Sequence, residues 1–168
     1  MLIFLTGFPG SGKTFLGIQT ASILKFSFVD TDSLIEKQCG ESVQAIFKKH
    51  GEDFFRIKEA EVLRNISNEK NSIIAVGGGL PCFHDNMKWM NENGQTIYLE
   101  ASAAFLFHRL IKEKKTRPLI EKLTDIELMI YITETLAVRR IFYEKSLIKM
   151  NAETITPSKL AHSITKKK

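Results

Sequence analysis

The stretch Gly7-Phe8-Pro9-Gly10-Ser11-Gly12-Lys13-Thr14 decides the fold of this chain. Its spacing, G-x-x-x-x-G-K-[ST], is typical of a phosphate-binding loop (P-loop) between a strand and a helix. The apolar run Leu2-Ile3-Phe4-Leu5 before it predicts a buried strand, and apolar residues recur with helical spacing from Phe15 to Leu24. Because both flanks agree with the motif, we expect a nucleoside triphosphate site here rather than a glycine-rich turn.

Each residue type in the loop has its own chemical reason. Glycines let backbone N–H groups face phosphate oxygens at close range, and the helix that begins near Lys13 adds the positive end of its dipole. Lys13 can reach the β- and γ-phosphates, and the Thr14 hydroxyl can bind Mg²⁺. The residues expected to contact ATP are Gly10, Ser11, Gly12, Lys13, Thr14 and Phe15.

The composition restricts the class of protein. The chain has 168 residues, of which 43% are hydrophobic and 26% charged, as in one ordinary globular domain. The formal charge of +5 includes the three lysines 166–168, so bulk charge gives no support for nucleic-acid binding. The first apolar run is too short for a membrane span or a signal segment, and Cys39 and Cys82 fit no disulfide or metal motif. We expect a cytoplasmic protein without nucleic-acid or membrane partners.

Two predicted strands end in residues that suit a ligand. Phe26-Ser27-Phe28-Val29 runs into Asp30-Thr31-Asp32, and Ser72-Ile73-Ile74-Ala75-Val76 runs into Gly77-Gly78-Gly79. Open α/β sheets bind ligands at the carboxyl ends of their strands. The aspartates can therefore serve a ligand, or Asp32 can cap the next helix; the glycines can admit a ligand, or form a loose turn. Strands and helices alternate throughout, which predicts a three-layer α/β fold.

Three arginines are candidates for binding anions. Arg56 lies near the start of a predicted helix, where the dipole disfavours a cation, so it is either a site residue or a surface arginine. Arg109 lies near the end of a helix, where the dipole alone explains it. Arg117 belongs to a charged segment interrupted by Pro118, which predicts either a lid that closes over phosphates or a basic surface loop.

Together these features resemble the shikimate kinase family, small P-loop kinases of the nucleoside-monophosphate-kinase-like group. The resemblance extends from Leu2 to about Tyr143. The matching segments are the P-loop, Asp30-Thr31-Asp32, Gly51-Glu52 with Phe55-Arg56, Gly77-Gly78-Gly79, Arg117-Pro118-Leu119, and Arg139 four residues before Tyr143. The resemblance implies a three-layer α/β/α P-loop kinase fold with a five-stranded parallel sheet in the order 2-3-1-4-5. It also implies one domain over 1–168, a substrate-binding helical region at about 32–66 and a lid at about 112–124.

The reaction implied by the resemblance is transfer of the γ-phosphate of ATP to the 3-hydroxyl of shikimate, by a monomer. Lys13 and Arg117 would then neutralise the transferring phosphate, and Asp32 would orient or deprotonate the attacking hydroxyl. Mg²⁺ would be bound by Thr14 and, through water, by Asp30. The residues implied to bind shikimate are Asp32, Arg56, Gly78, Gly79 and Arg139.

The chain departs from the family pattern in several places. Near Pro157 the family usually carries an arginine in the adenine-binding loop, and Thr154-Ile155-Thr156 offers none. Arg109 and Arg117 would join the P-loop in binding ATP, although the segment between them is one residue longer than in the family. A proline that the family often has after the second carboxylate-binding arginine is absent from Arg139-Arg140-Ile141-Phe142-Tyr143. We assign the carboxylate to Arg139 rather than Arg140 because Arg139 keeps the spacing to Tyr143.

Two other functions compete with this interpretation. A gluconate kinase of the same architecture would also act on a polyhydroxy acid and could reuse Asp32 and Arg56. A non-catalytic module that binds a nucleotide or shikimate belongs to a different class. The glycine triplet and Arg117-Pro118-Leu119 favour shikimate over gluconate. Turnover of ATP with shikimate distinguishes an enzyme from a binding module.

Overall fold

The computed structural model describes residues 1–67, 70–114 and 118–166 and has one five-stranded sheet. Its strands are β1 (Leu2–Thr6), β2 (Ser27–Asp30), β3 (Ser72–Ala75), β4 (Gln95–Glu100) and β5 (Ile148–Asn151). All four pairings are parallel, and the strand order is β2-β3-β1-β4-β5. The predicted sheet order is therefore confirmed.

Helices connect the strands, as parallel pairing requires. They are α1 (Lys13–Leu24), α2 (Thr31–Cys39), α3 (Val43–Arg64), α4 (Asn86–Asn93), α5 (Ala103–Glu113), α6 (Pro118–Glu121), α7 (Asp125–Tyr143) and α8 (Pro157–Thr165). A short 3-10 helix, Leu80–Cys82, follows the glycine triplet. Among the described residues, no helix is long and apolar enough to cross a membrane.

The central strand β1 faces two hydrophobic cores at once. Ile3 and Leu5 pack into the larger core, which includes residues of α1, α5, α7 and α8. Leu2 and Phe4 point the other way, into a smaller core with residues of α3 and α4. Alternation along an extended strand produces this division. Ile3, Phe4 and Leu5 are fully buried, and burial of each side chain contributes about 1.5–3 kcal/mol. Helices thus cover both faces of the sheet.

Helix α3 is interrupted at Gly51. Gly51 has φ 82° and ψ 176°, outside the helical region. A positive φ is costly for residues with a side chain but not for glycine. The break reorients the chain, and the part of α3 after it carries Arg56 towards the sheet edge.

Candidate active site

The ligand-binding edge of the sheet is formed by three neighbouring strands. The P-loop follows β1, Asp30-Thr31-Asp32 spans the junction of β2 with α2, and the glycine triplet lies just beyond β3. Two clefts of about 680 and 690 Å³ adjoin there. The first is lined by the P-loop, and the second by residues of α2, α3 and α7. The residues that line both clefts are Pro9, Asp32, Gly77 and Gly78.

The P-loop holds its lysine close to the backbone of the loop. Nζ of Lys13 donates hydrogen bonds to the carbonyl oxygens of Gly7 at 2.8 Å and Phe8 at 3.0 Å. Within the described part of the chain, the buried hydroxyl of Ser11 has no hydrogen-bond partner. Buried polar groups normally have partners. A phosphate oxygen at the positive end of α1 would suit both Lys13 and Ser11.

Asp30, not Asp32, caps helix α2. Its Oδ1 accepts from the backbone N–H groups of Asp32 at 3.1 Å and Ser33 at 3.3 Å. Its Oδ2 accepts from the Thr14 hydroxyl at 3.0 Å. The alternative in which Asp32 serves as the cap is therefore wrong, and the Asp32 side chain is available to the clefts.

Asp32 is a partly buried carboxyl group at the junction of the two clefts. Its Oδ1 is buried and has no hydrogen-bond partner among the described residues. Burial, reinforced by the negative charge of Asp30, raises the pKa of Asp32 to about 6, and the positive charge of Lys13 offsets part of this shift. A carboxylate with a pKa nearer to neutrality accepts a proton more readily than an ordinary aspartate.

Arg56 is held at its edge by two carboxylates. Oε1 of Glu52 accepts from Nε at 3.0 Å and from Nη2 at 2.8 Å, and Oε2 of Glu59 accepts from Nη1 at 2.6 Å. A guanidinium group has five N–H donors. Among the described residues these bonds engage three of them, which leaves one further N–H on each terminal nitrogen.

Glu59 is the buried member of this pair. It is 1% exposed, and burial raises its pKa to about 7 although Arg56 opposes the shift. The sequence analysis missed Glu59. The spacing of Glu52 and Glu59 around Arg56, i−4 and i+3 on a helix, was the available signal, since residues at such spacings are neighbours on the helix surface.

Arg139 and Arg140 lie on different sides of α7. Arg139 lines the same cleft as Arg56 and Asp32, and its Cζ lies 5.7 Å from the centre of the Phe8 ring. Arg140 instead pairs with Glu100 and Glu144, each at 3.0 Å, at the surface. The structure therefore brings Arg139 to the cleft, as the spacing to Tyr143 predicts, and its role in binding remains a prediction.

The glycine triplet makes room for the side chains of the site itself. A Cβ atom at Gly77 would lie 2.7 Å from Oδ1 of Asp32 and 2.7 Å from Oε1 of Glu59. A Cβ atom at Gly79 would lie 2.5 Å from Nη1 of Arg56. A Cβ atom at either position would therefore force the ends of these side chains to shift. The nearest neighbours of Gly77 and Gly79 are thus the ends of protein side chains of the site. Contacts from Gly78 and Gly79 to a ligand stay a prediction.

Arg109 lies beside the P-loop. Its Nη1 donates to the carbonyl of Gly10 at 3.3 Å, and its Cζ lies 4.4 Å from the centre of the Phe105 ring. Phe15 is 61% exposed and, like Arg109, lines the cleft at the P-loop. Arg117 and the middle of the predicted lid, residues 115–117, lie outside the described residues.

The family model for shikimate kinase matches residues 9–167. The chain belongs to the shikimate kinase family. It is 42% identical over 144 residues to the shikimate kinase of Phocaeicola vulgatus, covering 86% of this chain and 82% of the relative. It is 38% identical over 163 residues to that of Parabacteroides distasonis, covering 97% of this chain and 94% of the relative.

Solved structures of shikimate kinases share the fold. The enzyme from Bacteroides thetaiotaomicron aligns with a TM-score of 0.90 at 36% identity, covering 99% of this chain and 95% of that chain. The enzyme from Acinetobacter baumannii, solved in complex with shikimate, aligns with a TM-score of 0.86 at 29% identity, covering 97% and 89%. The P-loop kinase fold predicted for this shikimate kinase family member is thereby confirmed.

The donor atoms at the P-loop fit a magnesium ion. Thr14 Oγ1 and Asp30 Oδ2 lie 3.0 Å apart and are both hard oxygen donors. Among the described residues, no group of three or more His, Cys, Asp or Glu side chains could hold a metal. Mg²⁺ is commonly bound by one or two carboxylates together with substrate phosphates and water rather than by a full protein cage.

Proposed function

We propose that this protein is a shikimate kinase that transfers the γ-phosphate of ATP to the 3-hydroxyl of shikimate. The observation that supports this most directly is the position of Asp32. It lines both the P-loop cleft and the cleft that contains Arg56 and Arg139. A hydroxyl bound next to Asp32 would therefore face a phosphate bound next to Lys13. Membership of the shikimate kinase family supports the same reaction.

The chain's own groups would act mainly by positioning and by neutralising charge, which is what phosphoryl transfer requires. Lys13 and the N–H groups of the P-loop would bind the phosphates. Asp32 would accept a hydrogen bond from the attacking hydroxyl and take up its proton. Arg56 and Arg139 would hold the substrate carboxylate, since guanidinium groups can bind a carboxylate through two bonds.

Thr14 and, through water, Asp30 would hold Mg²⁺ in this arrangement. When bound, the ion would neutralise charge on the phosphates of ATP. Arg109 would contact the nucleotide, and Arg117 would add positive charge at the transferring phosphate when the segment around it closes. The closing lid, the monomeric state and the cytoplasmic location are further predictions.

The pairing of Arg56 with two carboxylates bears on the choice of substrate. With Glu52 and Glu59 beside it, Arg56 needs Arg139 as a second cation if an acidic substrate is to be attracted. Arg139 lines the same cleft. A site with this charge suits a small monocarboxylate better than a nucleoside monophosphate, whose phosphate carries more negative charge.

A coupled assay of ADP release, run with shikimate, gluconate and nucleoside monophosphates, tests the proposal. We expect turnover with shikimate at a kcat/KM at least about a hundredfold higher than with the other acceptors, a difference of about 2.7 kcal/mol. A higher kcat/KM with gluconate would show that the protein is a gluconate kinase instead. Binding of ATP and shikimate without any turnover would favour a binding module.

A further inference from the structure

An aromatic ring lies against the guanidinium group of Arg56. The ring centre of Phe83 is 4.5 Å from Cζ of Arg56. The rings of Phe55 and Phe47 are farther away, at 5.6 and 5.8 Å. A cation within about 6 Å of an aromatic face is attracted to the electron-rich centre of the ring. Among the described residues, Phe83 is therefore the nearest of the three aromatic rings within 6 Å of the buried cation.

Phe83 is 38% exposed, so burial of apolar surface does not fully account for its position. Single exposed apolar side chains are common and need no explanation by themselves. This ring differs because it lies over a cation that is 7% exposed and lines the proposed substrate cleft. Glu52 and Glu59 bind N–H groups at the edge of the guanidinium group. The ring of Phe83 can contact the flat face of the guanidinium group, which the two carboxylates do not contact.

The turn that carries Phe83 has an uncommon backbone. His84 and Asp85, which follow it, have φ angles of 50° and 53°. Residues other than glycine seldom occupy this left-handed region, and they remain there only when surrounding contacts fix them. The backbone N–H of Asn86 donates to the carbonyl of Phe83 at 2.9 Å, which closes the turn.

Helix α3 supplies the contacts that fix this turn. Nη2 of Arg64 donates to the carbonyl of His84 at 2.7 Å, and Nη1 donates to Oδ1 of Asn86 at 2.7 Å. Arg64 lies on the same helix as Arg56, about two turns further along. One rigid element therefore positions both the substrate-facing arginine and the turn that places Phe83 against it.

We propose that Phe83 is a positioning residue for Arg56. It holds the plane of the guanidinium so that the remaining N–H on each terminal nitrogen faces the substrate carboxylate. The inference rests on the proposed function, because it needs a carboxylate substrate in this cleft. Preorganisation of a long side chain lowers the ordering cost of binding, so loss of the ring weakens shikimate binding more than ATP binding.

The test compares two substitutions that differ in whether they keep the ring. Phe83→Leu keeps an apolar side chain without a ring, and Phe83→Tyr keeps the ring at a position that is 38% exposed. Phe142→Leu is the matched control, because the Phe142 ring lies 5.1 Å from Nζ of Lys145 in a cation–aromatic pair that lines neither cleft. KM for shikimate, KM for ATP, kcat and the thermal midpoint are measured for each variant.

We expect Phe83→Leu to raise KM for shikimate by about threefold to tenfold, with KM for ATP, kcat and the thermal midpoint near wild type. Phe83→Tyr should restore the wild-type KM, and Phe142→Leu should leave both KM values unchanged. A wild-type KM for shikimate in Phe83→Leu overturns the proposal. The proposal is also overturned if Phe83→Tyr raises KM for shikimate as much as Phe83→Leu does, or if Phe83→Leu raises KM for ATP as much as KM for shikimate. A wild-type protein that neither binds nor phosphorylates shikimate overturns the proposed function instead, and this inference with it.

Discussion

Nη1 of Arg56 donates a hydrogen bond of 2.6 Å to Oε2 of Glu59, and both side chains are nearly inaccessible to solvent. The pair lies in the wall of the cleft that Arg139 and Asp32 also line. Above about pH 7, where Glu59 is charged, burial of this ion pair costs desolvation energy that the mutual attraction often only balances. The Arg56–Glu59 pair in the cleft wall is therefore better explained by its holding Arg56 in position than by a contribution to stability.

Glu59→Gln should flatten the dependence of stability on pH. The pKa of Glu59 is about 7 in the folded protein, against 4.5 for an ordinary glutamate. The native state therefore keeps a proton that the unfolded chain releases, and the free energy of unfolding falls as pH rises from about 4.5 to about 7. Glutamine imitates the protonated form at every pH. Urea unfolding of wild type and Glu59→Gln at several pH values in this range measures the free energy of unfolding. If this free energy changes with pH equally in both proteins, Glu59 does not keep its proton in the folded state.

The first strand and the P-loop could be predicted from the sequence because their signals are local, whereas the order of the strands was implied only by the resemblance to the shikimate kinase family. The run before Gly7 and the motif up to Thr14 define a strand, a loop and a helix within a few residues. The arrangement around Arg56 could not be predicted in this way. Whether Glu59 is exposed or buried depends on packing against the sheet, and helical spacing alone does not report it.

Two further features needed the three-dimensional structure. Asp30 and Asp32 both lie at the end of a predicted strand, and only the structure shows that Asp30 accepts the N–H groups of α2. The glycine triplet predicts close approach, but its neighbours come from other elements. Gly77 adjoins Asp32 and Glu59, which are distant from it in sequence.

Asp32→Asn should lower kcat by about 10²–10⁴-fold, with little change in KM for ATP. Asparagine keeps the shape of the side chain but cannot take up the hydroxyl proton. Since the pKa of Asp32 is about 6, wild-type kcat should also fall as pH decreases below about 6, where the carboxyl is protonated. Steady-state kinetics from pH 5 to 8 check both points. Ser33→Ala, in the same turn of α2, is the control, and an Asp32→Asn enzyme with unchanged kcat would remove Asp32 from the reaction.

Lys13→Ala should lower kcat by about 10²–10³-fold, as loss of one charged group at a transition state commonly does. The substitution also removes the hydrogen bonds to the carbonyls of Gly7 and Phe8, so we expect a small decrease in thermal stability with the fold intact. Circular dichroism and ADP release measure the two effects separately. Lys37→Ala, at an exposed position on α2, should behave like wild type in both measurements. Near-normal turnover in Lys13→Ala would contradict the phosphate-binding role.

Arg139→Ala and Arg140→Ala form a matched pair on adjacent positions of α7. Arg139 faces the cleft, whereas Arg140 forms surface ion pairs with Glu100 and Glu144, which contribute little to stability. Loss of a charge-assisted contact of about 1.5–3 kcal/mol should raise KM for shikimate in Arg139→Ala by about tenfold to a hundredfold. Arg140→Ala should leave it within about twofold of wild type.

The methyl ester of shikimate separates loss of the carboxylate contact from a general disturbance of α7. Wild type should bind the uncharged ester weakly, and Arg139→Ala should bind it no worse than wild type does, because the contact it has lost is absent from both complexes. Isothermal titration with acid and ester gives the four affinities that this comparison needs. Equal affinity of wild type for acid and ester would show that Arg139 does not bind a carboxylate, and the choice of shikimate over an uncharged polyol would then lose its physical basis.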